Sequence, residues 1–158
     1  MIVDKKGGEQ HLCIDYHRLN NCTKPDAYPL PRIDDTLESF RTANWFTTLD
    51  LASGYWQVEV HSDDQEKTAF ITEFGLYEFI VMPFGLRNAP GTFQRLMNYI
   101  LQDYLGQFVC VYLDDIIINS KTFEQHMDHI KQVFHTLKQS LLKIKLKKCY
   151  FAYPIFTS

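Results

Sequence analysis

Asp114 and Asp115 stand side by side in Phe108-Val109-Cys110-Val111-Tyr112-Leu113-Asp114-Asp115-Ile116-Ile117-Ile118-Asn119, a run that is otherwise almost wholly apolar. Such a run is costly to bury with its charges unpaired. The β-branched and aromatic residues around the acids predict two short antiparallel strands, with the pair at or beside the turn joining them. Two readings of the pair follow. Aspartate is a common turn former that bonds to its own backbone; equally, two carboxylates that repel one another are kept ionised by a cation between them. A third ligand elsewhere would favour the cation, and Asp50 is the candidate. It is the only charge between Arg41 and Glu59 and lies in the strand-forming stretch Trp45-Phe46-Thr47-Thr48-Leu49-Asp50-Leu51. Three carboxylates without His or Cys suit a hard cation such as magnesium, which completes its shell with water and phosphate oxygens. Two such ions can bracket a phosphorus atom under attack. A weaker reading uses His126 and His129, with Glu124 and His135 nearby, as a zinc site on a helix, although histidines at a helix start are ordinarily exposed and unligated.

These residues need elements to hold them. Ile2-Val3 and His11-Leu12-Cys13-Ile14-Asp15-Tyr16 flank Lys5-Lys6-Gly7-Gly8 as a hairpin with a glycine turn. Pro25, Pro29 and Pro31 make Asn21 to Arg32 irregular and extended. Apolar positions 33, 37 and 40 predict a helix whose first turn holds Asp34 and Asp35 as start residues rather than ligands. Tyr55 to Val60 alternates like a half-exposed strand, His61 to Lys67 is a polar connector, and Thr68–Thr72 with Leu76–Met82 predicts a second hairpin around Glu73-Phe74-Gly75. Asn88 and Pro90 open a helix with Phe93, Leu96, Met97, Ile100, Leu101 and Tyr104 on its core face. Thr122-Phe123-Glu124-Gln125 resembles a capping box before a long amphipathic helix, and Lys143 to Phe151 alternates like a basic edge strand. The order predicts an α+β domain with helices packed on an antiparallel sheet.

At 158 residues, 46% hydrophobic and 22% charged, the chain reads as one globular domain. No run of apolar residues matches a signal peptide or a membrane span, so neither secretion nor a membrane partner is expected. Cys13, Cys22, Cys110 and Cys149 form no close pair, which fits a reducing, intracellular setting. The net charge of -3 is uneven: residues 1–120 hold 9 basic and 17 acidic side chains, and residues 121–158 hold 7 and 2. A basic tail on an acidic body permits a polyanionic partner without requiring one.

Tyr112-Leu113-Asp114-Asp115 resembles the YxDD signature of reverse transcriptases, and the rest of the chain is similar to the gypsy-type polymerases of long-terminal-repeat retrotransposons. The resemblance is carried by Cys13-Ile14-Asp15-Tyr16, by Tyr28-Pro29-Leu30-Pro31-Arg32-Ile33-Asp34-Asp35 and by Leu49-Asp50-Leu51-Ala52-Ser53-Gly54-Tyr55. Lys67-Thr68-Ala69-Phe70, Val81 to Pro90 and Val111 to Ser120 complete it in order. It implies the fingers (about 1–44 and 61–90) and palm (about 45–60 and 91–158) of a right-handed polymerase, an antiparallel palm sheet backed by helices. By the resemblance Asp50, Asp114 and Asp115 match a catalytic triad binding two magnesium ions, with manganese a possible substitute, and the Leu51 carbonyl assists. Tyr55 matches a steric gate against a ribose 2'-hydroxyl, Phe84 and Gly85 the floor of the nucleotide pocket, Leu113 the position beside the incoming sugar, and Lys5 a triphosphate-binding lysine. The implied function is RNA-directed DNA synthesis, with deoxynucleotides and an RNA or DNA template-primer as partners. The rest of a Pol polyprotein (thumb, ribonuclease H, integrase) would join it, in the cytoplasm and within virus-like particles. An inactive relic retaining the palm fold is the alternative. Departures are Gln10-His11 where the family has Trp-Arg, which weakens the clamp on a triphosphate at His11, and His17 where it has Arg. The family's Phe-Leu-Gly-His primer-grip segment does not follow Phe151, and a thumb and ribonuclease H region are expected to be missing.

Overall fold

A computed structural model describes residues 14–29 and 40–154 and the backbone of residues 2–4 and 10–12. Its elements are β1 (Ile2–Asp4), β2 (Gln10–Leu12), α1 (His17–Cys22), β3 (Trp45–Asp50), α2 (Ser62–Gln65), β4 (Phe70–Thr72), β5 (Gly75–Tyr77), α3 (Ala89–Ile100), β6 (Val109–Tyr112), β7 (Asp115–Ser120), α4 (Phe123–Gln139) and β8 (Tyr150–Pro154). The chain forms two compact units, Met1–Ala27 with Tyr55–Pro90 and Tyr28–Gly54 with Gly91–Ser158.

The second unit is built on a four-stranded antiparallel sheet in the order β6-β7-β3-β8. Residues paired across a ladder share a face. One face therefore carries a row of Val109, Ile118 and Thr47 and a row of Val111, Ile116 and Leu49, all buried. Each fully buried aliphatic side chain contributes about 1.5–3 kcal/mol, which accounts for the apolar run around Asp114 and Asp115. Helix α4 lies against this face through His126, Ile130, Val133 and Leu137, the 3.6-residue stripe of an amphipathic helix. Thr122 caps it, its hydroxyl accepting from the Gln125 N–H at 3.3 Å as the sequence predicts. Phe93, Met97 and Leu101, in and just beyond α3, are likewise fully buried. The opposite face of the sheet bears Cys110, Ile117 and Thr48, then Tyr112, Asp115 and Asp50, and is half-buried except at Tyr112 and Asp115, which are exposed.

In the first unit β1 pairs with β2 and β4 with β5, as two antiparallel hairpins. Glu73 and Phe74 make the turn between β4 and β5, and Gly75, which opens β5 opposite Thr72, sits at φ +138°. The buried Tyr16 donates its hydroxyl to the Thr68 carbonyl at 3.1 Å.

The structure departs from the sequence expectations in five places. Tyr55 to Val60 is not a strand: Gly54–Gln57 is a 3-10 turn and only Glu59 bridges to Val81. Tyr55 and Trp56, on consecutive positions, both pack on the Phe84 ring, which a strand's alternation forbids. The polar connector contains α2, capped by His61. Helix α1 has no apolar stripe to announce it and buries none of its residues; Asp15 starts it by accepting from the His17 N–H at 2.9 Å. Asn88 accepts from the Asp26 N–H and donates to the Lys24 carbonyl, a tertiary tie where a cap was expected. The basic edge strand begins late, because Leu146–Lys148 forms a 3-10 turn and β8 starts at Tyr150. The expected helix over 33–40, with Asp34 and Asp35, lies outside the described residues except at Phe40.

Candidate active site

The β3–β7 ladder ends with Asp50 directly opposite Asp115. Opposed residues in an antiparallel pair hold their Cβ atoms about 5 Å apart, so the two carboxylates share one patch of the half-buried face. Burial, then the charge of Asp50, pushes the Asp115 carboxyl above the usual carboxylate range, while Lys148 pulls it back. Lys148 reaches this patch because the chain after α4 runs beside the end of β3: the Ala52 N–H donates to Lys143 and the Lys145 N–H to Asp50. Its Nζ stands 3.1 Å from Asp50 Oδ2.

Leu113 and Asp114 form the two-residue turn between β6 and β7. Leu113 sits at φ +52°, a left-handed conformation that costs a non-glycine residue about 1–2 kcal/mol. The Leu51 N–H donates to the Asp114 carbonyl at 3.3 Å, tying the end of β3 to the turn. Among the described residues no three His, Cys, Asp or Glu side chains form a metal-binding group; Asp114 stands in the turn, one residue before Asp115. The Asp114 Oδ1 is turned inward, buried and without a hydrogen bond, toward Gly54. A Cβ on Gly54 would meet that oxygen at 2.7 Å and Phe93 Cζ at 2.8 Å, so only glycine permits the approach.

The donor set fits a hard divalent cation: opposed carboxylates with a raised Asp115, and oxygen donors with no sulfur or imidazole. The histidine pair offers nothing comparable. His126, expected to be exposed, is fully buried; its Nε2 stands 2.8 Å from Thr47 Oγ1 and its Nδ1 2.8 Å from Ser120 Oγ. His129 Nδ1 shares the same Ser120 hydroxyl at 2.8 Å, and its ring stacks on Phe108. These are structural side chains joining α4 to the sheet.

Of the remaining residues that the resemblance singles out, Tyr55 and Phe84 are in ring contact at 5.2 Å. Gly85 adopts φ +93° and its carbonyl accepts from Asn20 Nδ2 at 2.8 Å. His11 lies in β2 opposite Val3, and Lys5 lies outside the described residues. Sequence reasoning missed Gln94. A polar side chain on the core face of α3 that is fully buried needs internal partners; Gln94 finds one in the Leu113 N–H, 2.8 Å from its Oε1. Its place between Phe93 and Met97, inside the apolar stripe, was the available signal.

Residues 3–156 match the family model described as reverse transcriptase (RNA-dependent DNA polymerase). The chain is 47% identical over 149 residues to the "Retrovirus-related Pol polyprotein from transposon 297" of Drosophila melanogaster, covering 94% of this chain and 14% of that protein. It is 48% identical over 125 residues to an "RNA-directed DNA polymerase homolog" of Oenothera berteroana, covering 77% and 88%. A foamy viral protease-reverse transcriptase solved with an RNA/DNA hybrid superposes with a TM-score of 0.83 at 25% identity, over 95% of this chain and 20% of that one. The chain thus spans about a seventh of the transposon 297 polyprotein. With the family match running almost end to end over a sheet that opposes Asp50 to Asp115, the chain belongs to the reverse transcriptase (RNA-dependent DNA polymerase) family.

Proposed function

We propose that this chain is the fingers and palm of an RNA-directed DNA polymerase, a nucleotidyltransferase that extends a primer 3'-hydroxyl with deoxynucleotides on an RNA or DNA template. The observation that carries the reading is the opposition of Asp50 and Asp115 beside the Leu113–Asp114 turn. Fingers are assigned to about 1–44 and 61–90 and palm to about 45–60 and 91–158. The thumb, ribonuclease H and integrase of a Pol polyprotein are the proposed neighbours in a full-length protein. Virus-like particles are the proposed location. Among the described residues, no helix is long and apolar enough to cross a membrane.

Asp50, Asp114, Asp115 and the Leu51 carbonyl would hold magnesium, or manganese in its place. Two bound divalent ions supply a lowered pKa at the primer hydroxyl and neutralise charge on the α-phosphate and the departing pyrophosphate. The chain's own contribution is positioning. The ladder keeps Asp50 and Asp115 at a fixed separation, and their repulsion makes the patch receptive to positive charge. Lys148 supplies part of that charge beside Asp50. Gly54 leaves room for Asp114, and the Leu51 N–H anchors its carbonyl. Tyr55, in ring contact with Phe84, is the proposed steric gate, and Phe84 and Gly85 are the proposed pocket floor, where a side chain at Gly85 would be strained. Leu113, Lys5 and His11 are assigned to the sugar and triphosphate of the nucleotide.

Primer extension with magnesium or manganese, comparing the wild type with Asp114→Asn, tests the reading. Metal-dependent extension lost in the variant is the expected result. A wild-type chain that extends nothing, alone or joined to its downstream thumb, would favour an inactive relic instead.

A further inference from the structure

The Leu113–Asp114 turn is strained at Leu113, and the side chain that holds it belongs to α3. Gln94 is fully buried and meets two backbone groups of the hairpin: the Leu113 N–H donates to its Oε1 at 2.8 Å, and its Nε2 donates to the Val111 carbonyl at 3.1 Å. A backbone N–H only donates and a carbonyl only accepts, so these contacts admit one orientation of the amide. The second Nε2 proton goes to Asn98 Oδ1 at 2.9 Å, which leaves Asn98 Nδ2 facing, and donating to, the Tyr28 hydroxyl at 2.8 Å. Arg95 lies over the Tyr28 ring at 4.8 Å, fixing that ring from the next turn of the same helix.

We propose that Gln94 is a positioning residue for the Leu113–Asp114 turn, and that Asn98 acts through it by accepting its second amide proton and holding the side chain against the hairpin. Turning the Gln94 amide over would set its oxygen against the Val111 carbonyl and Asn98 Oδ1 and its NH2 against the Leu113 N–H, so the hairpin and Asn98 select the same orientation. The consequence for nucleotidyl transfer rests on the function proposed above; the placement of the turn does not.

The test is amide hydrogen exchange at Leu113, followed by NMR on the whole chain, with the Leu49 and Ile118 amides as a record of global folding. Asn98→Leu removes the acceptor for Gln94, whereas Asn98→Asp retains it. Loss of one neutral hydrogen bond corresponds to about tenfold, so Leu113 protection is expected to fall about that much in Asn98→Leu and in Gln94→Met, and to persist in Asn98→Asp, with Leu49 and Ile118 unchanged. Equal protection in Asn98→Leu and wild type, or equal loss in Asn98→Leu and Asn98→Asp, overturns the proposal. In primer extension Asn98→Leu should lower kcat with the nucleotide KM retained, and Asn98→Asp should restore kcat; a fall confined to KM counts against positioning. If the wild type extends no primer, the polymerase reading fails while the exchange measurement still decides this one.

Discussion

Asp50 and Asp115 are the last opposed pair of the β3–β7 ladder, so the sheet itself, and no flexible loop, sets the distance between two repelling carboxylates. The buried rows behind them, Leu49 with Ile116 and Thr47 with Ile118, fix that register, since a one-residue slip would turn the buried face outward. The site is held at a cost in stability, and three measurable consequences follow from its surroundings.

Asp115→Asn should stabilise the metal-free chain at neutral pH. The folded carboxyl is raised above its unfolded value, so its contribution is fully present below the unfolded pKa and is lost as pH rises through the folded one. At pH 7 the ionised group therefore opposes folding, and the amide does not. Thermal melts at pH 7 in a chelator should show a higher Tm for the variant, and magnesium should narrow the gap by stabilising the wild type alone. A lower Tm in chelator would contradict this account of the carboxylate pair.

Gly54→Ala should damage both fold and site. The new Cβ would stand 2.7 Å from Asp114 Oδ1 and 2.8 Å from Phe93 Cζ, and Phe93 is fully buried, so something in the core must shift. Overpacking of this kind costs about 1–3 kcal/mol. Urea unfolding should report that loss, and primer extension should fall further than stability alone explains, because the turn carrying Asp114 is displaced. A variant with wild-type urea midpoint and extension rate would show that the close approach is unimportant.

His126 should give the chain an acid limb. Burial first, and the neighbouring His129 second, push its imidazole below the ordinary histidine value, and burial does the same to His129, where the Asn119 backbone and then Asp128 partly offset it. A depressed folded pKa contributes stability above the unfolded value that is lost as pH falls through the folded one. Stability should thus decline below the ordinary histidine pKa of about 6.5. In His126→Gln the urea midpoint at pH 7.5 should drop, since the bonds to Thr47 and Ser120 are disturbed, while its further decline between pH 7 and 5 should be shallower than in the wild type. Parallel curves would remove His126 as the source.

By itself the sequence determined the elements whose pattern is local. The apolar run from Phe108 to Asn119 pointed to a buried hairpin with the acids at or beside its turn, and the Thr122 cap with the apolar positions Ile130, Val133 and Leu137 announced α4. The ordered motifs pointed to the family for the same reason, being contiguous in the chain. Only the tertiary structure decided which residues separated by tens of positions meet. It set Asp115 opposite Asp50 and Lys148 beside it, aimed Asp114 at Gly54 and put Gln94 under Leu113. It also buried His126, a residue whose type and helix-start position suggested exposure. Periodicity encodes which side of an element is apolar. Register, chain crossing and the pairing of buried polar groups arise only when elements distant in sequence pack together, and those are what shape this site.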